Sequence, residues 1–181
     1  MNDPAFPASS PVVSPGADPQ FTYAFEIRAE VAPPIRVGEV DGPGGGDLNV
    51  APITGGTVTG EGITGRVLPV GADWWVCTGP TTRLDARYLL ATDDGAVIDV
   101  VNRGYFHAGE SLMARLEAAG AAGDTDALAA AEGEIYYRSA FTFRTAHPGY
   151  RWLTEAQFIG MIRGSGGPEP DAVIIRVHRL N

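Results

Sequence analysis

The sequence predicts an all-β chain folded as a single antiparallel β-barrel with a short helical insertion. Three observations carry this. Across residues 55–104, short apolar and β-branched runs alternate with glycine-bearing turns, the habit of a meander of antiparallel strands. Roughly eight to ten such runs lie between residues 21 and 180, and a twisted sheet of that size closes or splits because open edges are costly. Helical periodicity is confined to about residues 110–132.

Residues 1–20 are rich in Pro, Ser, Ala and Gly without periodicity, and are expected to form a flexible arm. In an oligomer such an arm can dock on a neighbouring subunit. The barrel domain is expected to span 21–181. Residues 21–31 alternate, with Phe21, Tyr23, Phe25 and Ile27 on one side and Thr22, Ala24, Glu26 and Arg28 on the other. That is a half-buried strand, ended by Pro33-Pro34. Residues 41–47 hold four glycines and one proline and read as a mobile loop. A strand resumes over 50–59, where Gly55-Gly56 suggests a bulge. Further strands are expected at 63–68, 83–91 and 96–101, with Asp73, Trp74 and Trp75 between the first two. Residues 111–119 and 124–131 have helical spacing, with Ser111 and Asp124 as N-caps. This helical piece either closes a mouth of the barrel or is a surface excursion. Strands return at 135–145, 158–162 and 172–180, the last two divided by a Gly/Pro/Ser loop at 164–170.

The formal net charge of -9 disfavours nucleic acid and anionic membranes as partners, because phosphate binding needs clustered cations. There is no lysine, so all 13 basic residues are arginine. One cysteine, Cys77, rules out an intrachain disulfide framework and suits a reducing cytoplasm. It is read as a small apolar residue. No apolar run approaches the ~20 residues of a membrane span. The amino-terminal residues lack the basic start and apolar block of a signal peptide.

Several short motifs recur in one order. They are Gly55-Gly-x-Val-x-Gly, Gly65-x-Val-Leu-Pro, Gly71-Ala-Asp-Trp74, Asp85-Ala-Arg-Tyr88, Asp94-Gly-Ala and Asn102-x-Gly104. Downstream come Tyr136-Tyr-Arg138, Phe143-x-Thr145, Trp152-Leu153 and Phe158-Ile-Gly160. Together they resemble domain-of-unknown-function family 3237, over about residues 21–180. The resemblance implies a small calycin-like β-barrel and leaves the activity open, since members mostly lack an assigned one. Arg144 stands where the family pattern usually has Glu, Thr154 where Asn often follows Trp-Leu, and Glu61 where Pro is common.

Chemistry-bearing residues are few. Asp73 beside two tryptophans would lose solvation, which raises a carboxylate pKa toward the range of a general acid or base. Arg87 sits in mid-strand on the face of Asp85 and Leu89, opposite Leu84 and Tyr88. If that face points inward, Arg87 needs a carboxylate or a ligand oxygen. Asp73, Arg87 and Tyr137 are therefore the candidate catalytic residues. Trp74, Tyr88, Asn102, Tyr136, Arg138 and Trp152 are the candidate substrate contacts. His107, His147 and His178 lack metal-ligand spacing, and neither glycine group is followed by a helix that could hold phosphate, so no metal or cofactor is expected. Two functions follow from these residues. One is a cofactor-independent enzyme of isomerase, cyclase or dehydratase type acting on an apolar, carbonyl-bearing compound. The other is a barrel that carries a small hydrophobic ligand without transforming it. Several converging titratable groups in the cavity favour the enzyme, and one or two hydrogen-bond donors in an apolar tube favour the carrier; if Asp73 and Arg87 lie on opposite sides of the wall, their joint catalytic assignment fails and the carrier moves ahead.

Overall fold

The computed structural model describes residues 18–42, 44–164 and 172–181. The expected arm (but for its last three residues) and most of the 164–170 loop lie outside them. The described chain is a closed antiparallel barrel of eight strands with a ninth strand laid against one of them. In chain order these are β1 (Phe21–Val31), β2 (Ile35–Glu39), β3 (Asp47–Gly60), β4 (Ile63–Thr78), β5 (Thr81–Thr92) and β6 (Val97–His107). Helices α1 (Glu110–Ala122) and α2 (Thr125–Glu132) follow, then β7 (Tyr136–Arg144), a 3-10 turn over Pro148–Leu153, β8 (Phe158–Gly164) and β9 (Ala172–Leu180). Each strand from β3 to β9 pairs with its successor, apart from the helical excursion, and β1 closes the ring by pairing with both β9 and β3.

Four elements depart from expectation, one of them β6, which is expected to end at 101 and runs on to His107. β2 follows Pro33-Pro34 and pairs only with the start of β3. β4 continues ten residues beyond 68, so Asp73, Trp74 and Trp75 sit inside a strand. The pairing of β4 with β5 shifts register between Val67 and Gly71, which hides the continuation from simple alternation. At Gly71 (φ 98) an added Cβ would lie 2.0 Å from the Arg87 carbonyl oxygen, so only glycine fits this close approach. The last departure is the cap of α1, which is Gly109 with no side-chain bond. Asp124 does cap α2, accepting from the Ala127 amide at 2.9 Å.

The barrel has two unlike halves. At the end of the β3–β4 and β5–β6 turns it is filled solid. Phe25, Phe141, Phe143 and Phe158 pack edge-on, tilted or stacked at 5.3–6.3 Å. Trp152, from the 3-10 turn, seals that end against Phe25 and Phe158 at 6.0 and 5.8 Å. At the other end the helical hairpin leans over the mouth. Its Leu112 and Ala131 form a small separate core with Ala108, with Phe106, Leu116 and Ile135 packed against it. No helix among the described residues is long and apolar enough to cross a membrane.

Candidate functional site

The unfilled half of the barrel is a cavity of about 500 Å³. Strand pairing decides what faces it, because directly opposed residues project to the same side. One row runs Asp73–Ala86–Asn102–Phe141 across β4, β5, β6 and β7. The row nearer the mouth runs Trp75–Leu84–Gly104–Ser139, and the next Cys77–Thr82–Phe106–Tyr137. Tyr88 lies one row deeper, on the same strand as Ala86. The small Ala86 leaves room between the carboxylate and the carboxamide on either side of it.

The cavity is two-sided in chemistry. Its polar groups all come from the four consecutive strands β4 to β7: Asp73, Cys77, Thr82, Tyr88, Asn102 and Tyr137. β1, β3, β8 and β9 contribute only aliphatic side chains, among them Val31, Ile53, Ile162 and Ile175. No Arg, Lys or His is present among the described lining residues.

Several of these polar atoms are buried without a protein partner. They are Asp73 Oδ1, the Tyr88 hydroxyl and Asn102 Oδ1, with Ser139 Oγ beside them on β7. A buried polar atom left alone costs roughly 1–3 kcal/mol, so this wall carries hydrogen-bonding capacity that no protein group fills. Burial pushes the Asp73 carboxyl up to about 6. A backbone hydrogen bond from Asp85 opposes this, and the charge of Asp85 adds to it. The Tyr88 and Tyr137 hydroxyls are held well above the usual tyrosine range, first by burial and then by the charge of Asp73. They therefore stay protonated and serve as donors. At the mouth, Cys77 Sγ lies 3.0 Å from Thr82 Oγ1.

Of the residues expected to form a site, the structure brings together Asp73, Tyr88, Asn102 and Tyr137. It does not bring in the others. Arg87 and Trp74 are on the outer face of the wall, one residue out of step with Tyr88 and Asp73. The Arg87 side chain is 56% exposed, 3.7 Å from Asp85. Asp73 and Arg87 thus lie on opposite faces of the same stretch of barrel wall, and the expected convergence of Asp73, Trp74 and Arg87 is corrected. Tyr136 and Arg138 also point outward, with the Arg138 guanidinium 5.7 Å from the Tyr136 ring. Trp152 plugs the opposite end. Trp75, Thr82, Leu84, Phe106 and Met113 also line the cavity without being sequence candidates, as does Cys77, which reads as a small apolar residue. A period-two count from Asp73, Asn102 and Tyr137 reaches Trp75, Cys77 and Phe106, and finds Ser139 as well. Among the described residues no three of His, Cys, Asp and Glu are grouped to hold a metal ion.

A family model described as a protein of unknown function (DUF3237) matches residues 19–180. A UPF0311 protein of Rhodopseudomonas palustris is 37% identical over 159 residues, covering 87% of this chain and 94% of that protein. A crystal structure of a beta-barrel like protein from Acinetobacter baumannii superposes with a TM-score of 0.74 at 29% identity, covering 97% of this chain and all of that one (100%). A more distant fold relative, described as an enzyme from Penicillium herquei, has a TM-score of 0.63 at 19% identity, over 94% of this chain and 100% of its own.

Proposed function

The chain belongs to the DUF3237 family, and from that premise we propose that it is a cofactor-independent acid–base enzyme of isomerase, cyclase or dehydratase type. Its substrate is a small, neutral, largely apolar compound that bears a carbonyl. The observation that carries this reading is the Asp73 carboxyl, raised to about 6 and shut into an apolar cavity with two protonated tyrosines. A base near neutrality in a dry site takes protons from weak carbon or oxygen acids far better than a solvated aspartate does. In the simplest step Asp73 removes the proton next to the ligand carbonyl. The charge moves to the carbonyl oxygen, which accepts hydrogen bonds from Tyr88 or from Asn102 Nδ2. Return of the proton at another atom completes an isomerisation. If the enolate carbon instead adds to a second carbonyl carbon of the ligand, the Asp73 proton passes to the new alkoxide and a ring closes; if a hydroxyl two carbons from the carbonyl takes that proton, it leaves as water and a double bond forms. The cation-free lining opposes carboxylates and phosphates, and the aliphatic wall takes the ligand's hydrocarbon face. That a distant fold relative is described as an enzyme fits this reading.

The test uses 2-tetralone, a neutral apolar ketone with exchangeable protons beside its carbonyl. Deuterium uptake from heavy water, followed by NMR, should be faster with the protein than in buffer. The rate should rise as Asp73 ionises through about pH 6. Asp73→Asn should lose at least about a hundredfold of it. The carrier reading draws its support from Arg87, whose place outside the wall leaves a developing oxyanion with no cation. A protein that binds 2-tetralone, read as a shift in melting temperature, yet exchanges it no faster than buffer is a carrier.

A further inference from the structure

The outer wall over β4 to β7 has the opposite character from the rest of the molecule. Its rows run Val76–Arg83–Tyr105–Arg138 and Trp74–Asp85–Arg103–Ala140, with Arg87 one row further along β5. A shallow groove of about 400 Å³ lies there between Trp74 and Tyr105. These two rings are 44% and 52% exposed, and the neighbouring Tyr136 is 53% exposed. Asp85 is the single acid among four arginines. It lies 3.1 Å from Arg103 and 3.7 Å from Arg87, while Arg83 has no ion pair among the described residues. Exposed aromatics and arginines are the side chains that anchor protein interfaces.

The helical hairpin has the complementary character. Residues 110–134 hold six acidic residues against Arg115 alone. Arg115 is taken up by Glu134 through two bonds of 2.9–3.0 Å. Leu112 and Ala119 of α1 are buried, Leu112 in the small core with Ala108 and Ala131. The opposite face presents Glu110, Ala114, Glu117, Ala118 and Ala121 to solvent at helical spacing. Small alanines let the helix backbone approach flat rings, and the intervening carboxylates reach arginines around them.

We propose that the occupant of the arginine–aromatic face is a second copy of this chain, whose hairpin lies across it, with the contact repeated about a two-fold axis. Direct patch-to-patch pairing would set four arginines against four. The reciprocal arrangement instead meets each cationic face with an acidic helix and closes the assembly as a dimer. It concerns a surface outside the cavity, so it stands or falls apart from the proposed reaction.

Sedimentation equilibrium of the full chain tests it. The wild type should be a dimer that weakens with added salt. Arg83→Glu and Glu117→Arg, both at exposed positions, should each weaken it by about tenfold or more. The double variant should regain most of the loss. Circular dichroism checks that each variant is folded, with Arg83→Gln and Glu117→Gln replacing any that is not. A monomeric wild type overturns the proposal, including one that co-sediments with phosphatidylserine vesicles. A dimer indifferent to Arg83→Glu overturns it too, as does one that responds to Arg83→Glu but not to Glu117→Arg.

Discussion

Replacing Asp73 by asparagine removes the charge and keeps the shape, so it isolates what burial of this carboxylate does to the fold. The carboxyl goes from 3.8 to about 6 on folding. At 1.36 kcal/mol per pH unit this corresponds to roughly 3 kcal/mol, which incomplete burial trims to about 2 kcal/mol. The sign is set by proton uptake. Below pH 3.8 the group is neutral in both folded and unfolded chains, so the wild type keeps its full stability. Between there and about 6 the unfolded chain gives up its proton first, and wild-type stability falls. Above that range the deficit is constant. Asp73→Asn should therefore melt close to the wild type at about pH 4 and about 4–8 °C higher at about pH 8, given 2–4 °C per kcal/mol at this chain length. Differential scanning calorimetry across that range reads it directly. Equal melting temperatures at about pH 8, or a gap already complete at about pH 4, would refute a carboxylate held neutral by burial.

Three other substitutions separate the two sides of the wall. Arg87→Ala should cost no more than about 1 kcal/mol by urea denaturation, because its long contact to Asp85 is exposed; it should leave 2-tetralone exchange unchanged. Gly71→Ala should lose at least about 2 kcal/mol in the same assay, since its Cβ meets the Arg87 carbonyl and its φ is positive. Tyr88→Phe removes a buried hydroxyl with no protein partner, so it should leave stability unchanged or raise it by up to about 1 kcal/mol while slowing exchange of bound 2-tetralone.

Much of the barrel was legible because most strands alternate cleanly and the helical insertion changes period. Strand β1 matches its expected bounds, residues 21–31. β2 was hidden by the prolines before it and the glycines after it, which mask five residues of extended chain. The second half of β4 was hidden by the register shift at Val67–Gly71, which breaks the alternation that would have joined 68 to 72. The site was legible in its residue types but not in its sidedness. Alternation placed Arg87 and Tyr88 on opposite faces. It could not say which face was inner, because Leu84 and Leu89 give both faces an apolar residue. The outer wall adds to the ambiguity by exposing Trp74 and Tyr105, side chains that ordinarily signal a core. Trp152 misled for another reason. It belongs to a 3-10 turn that crosses the barrel end, and no strand count reaches it.

The closure of the ring by β1 has a consequence for how the chain comes into being. β9 is made after every other strand of the ring, yet it lies between β8 and β1, with Phe21 paired to Leu180. Until β9 leaves the ribosome, a nascent chain holds two unpaired strand edges and a half-built wall. Pairings that span nearly the whole chain place such a barrel among the slow folders, in the millisecond-to-second range. Over that interval the edges of β1 and β8 are templates for other chains. The chain is therefore more open to mispairing during synthesis than its finished, closed ring suggests.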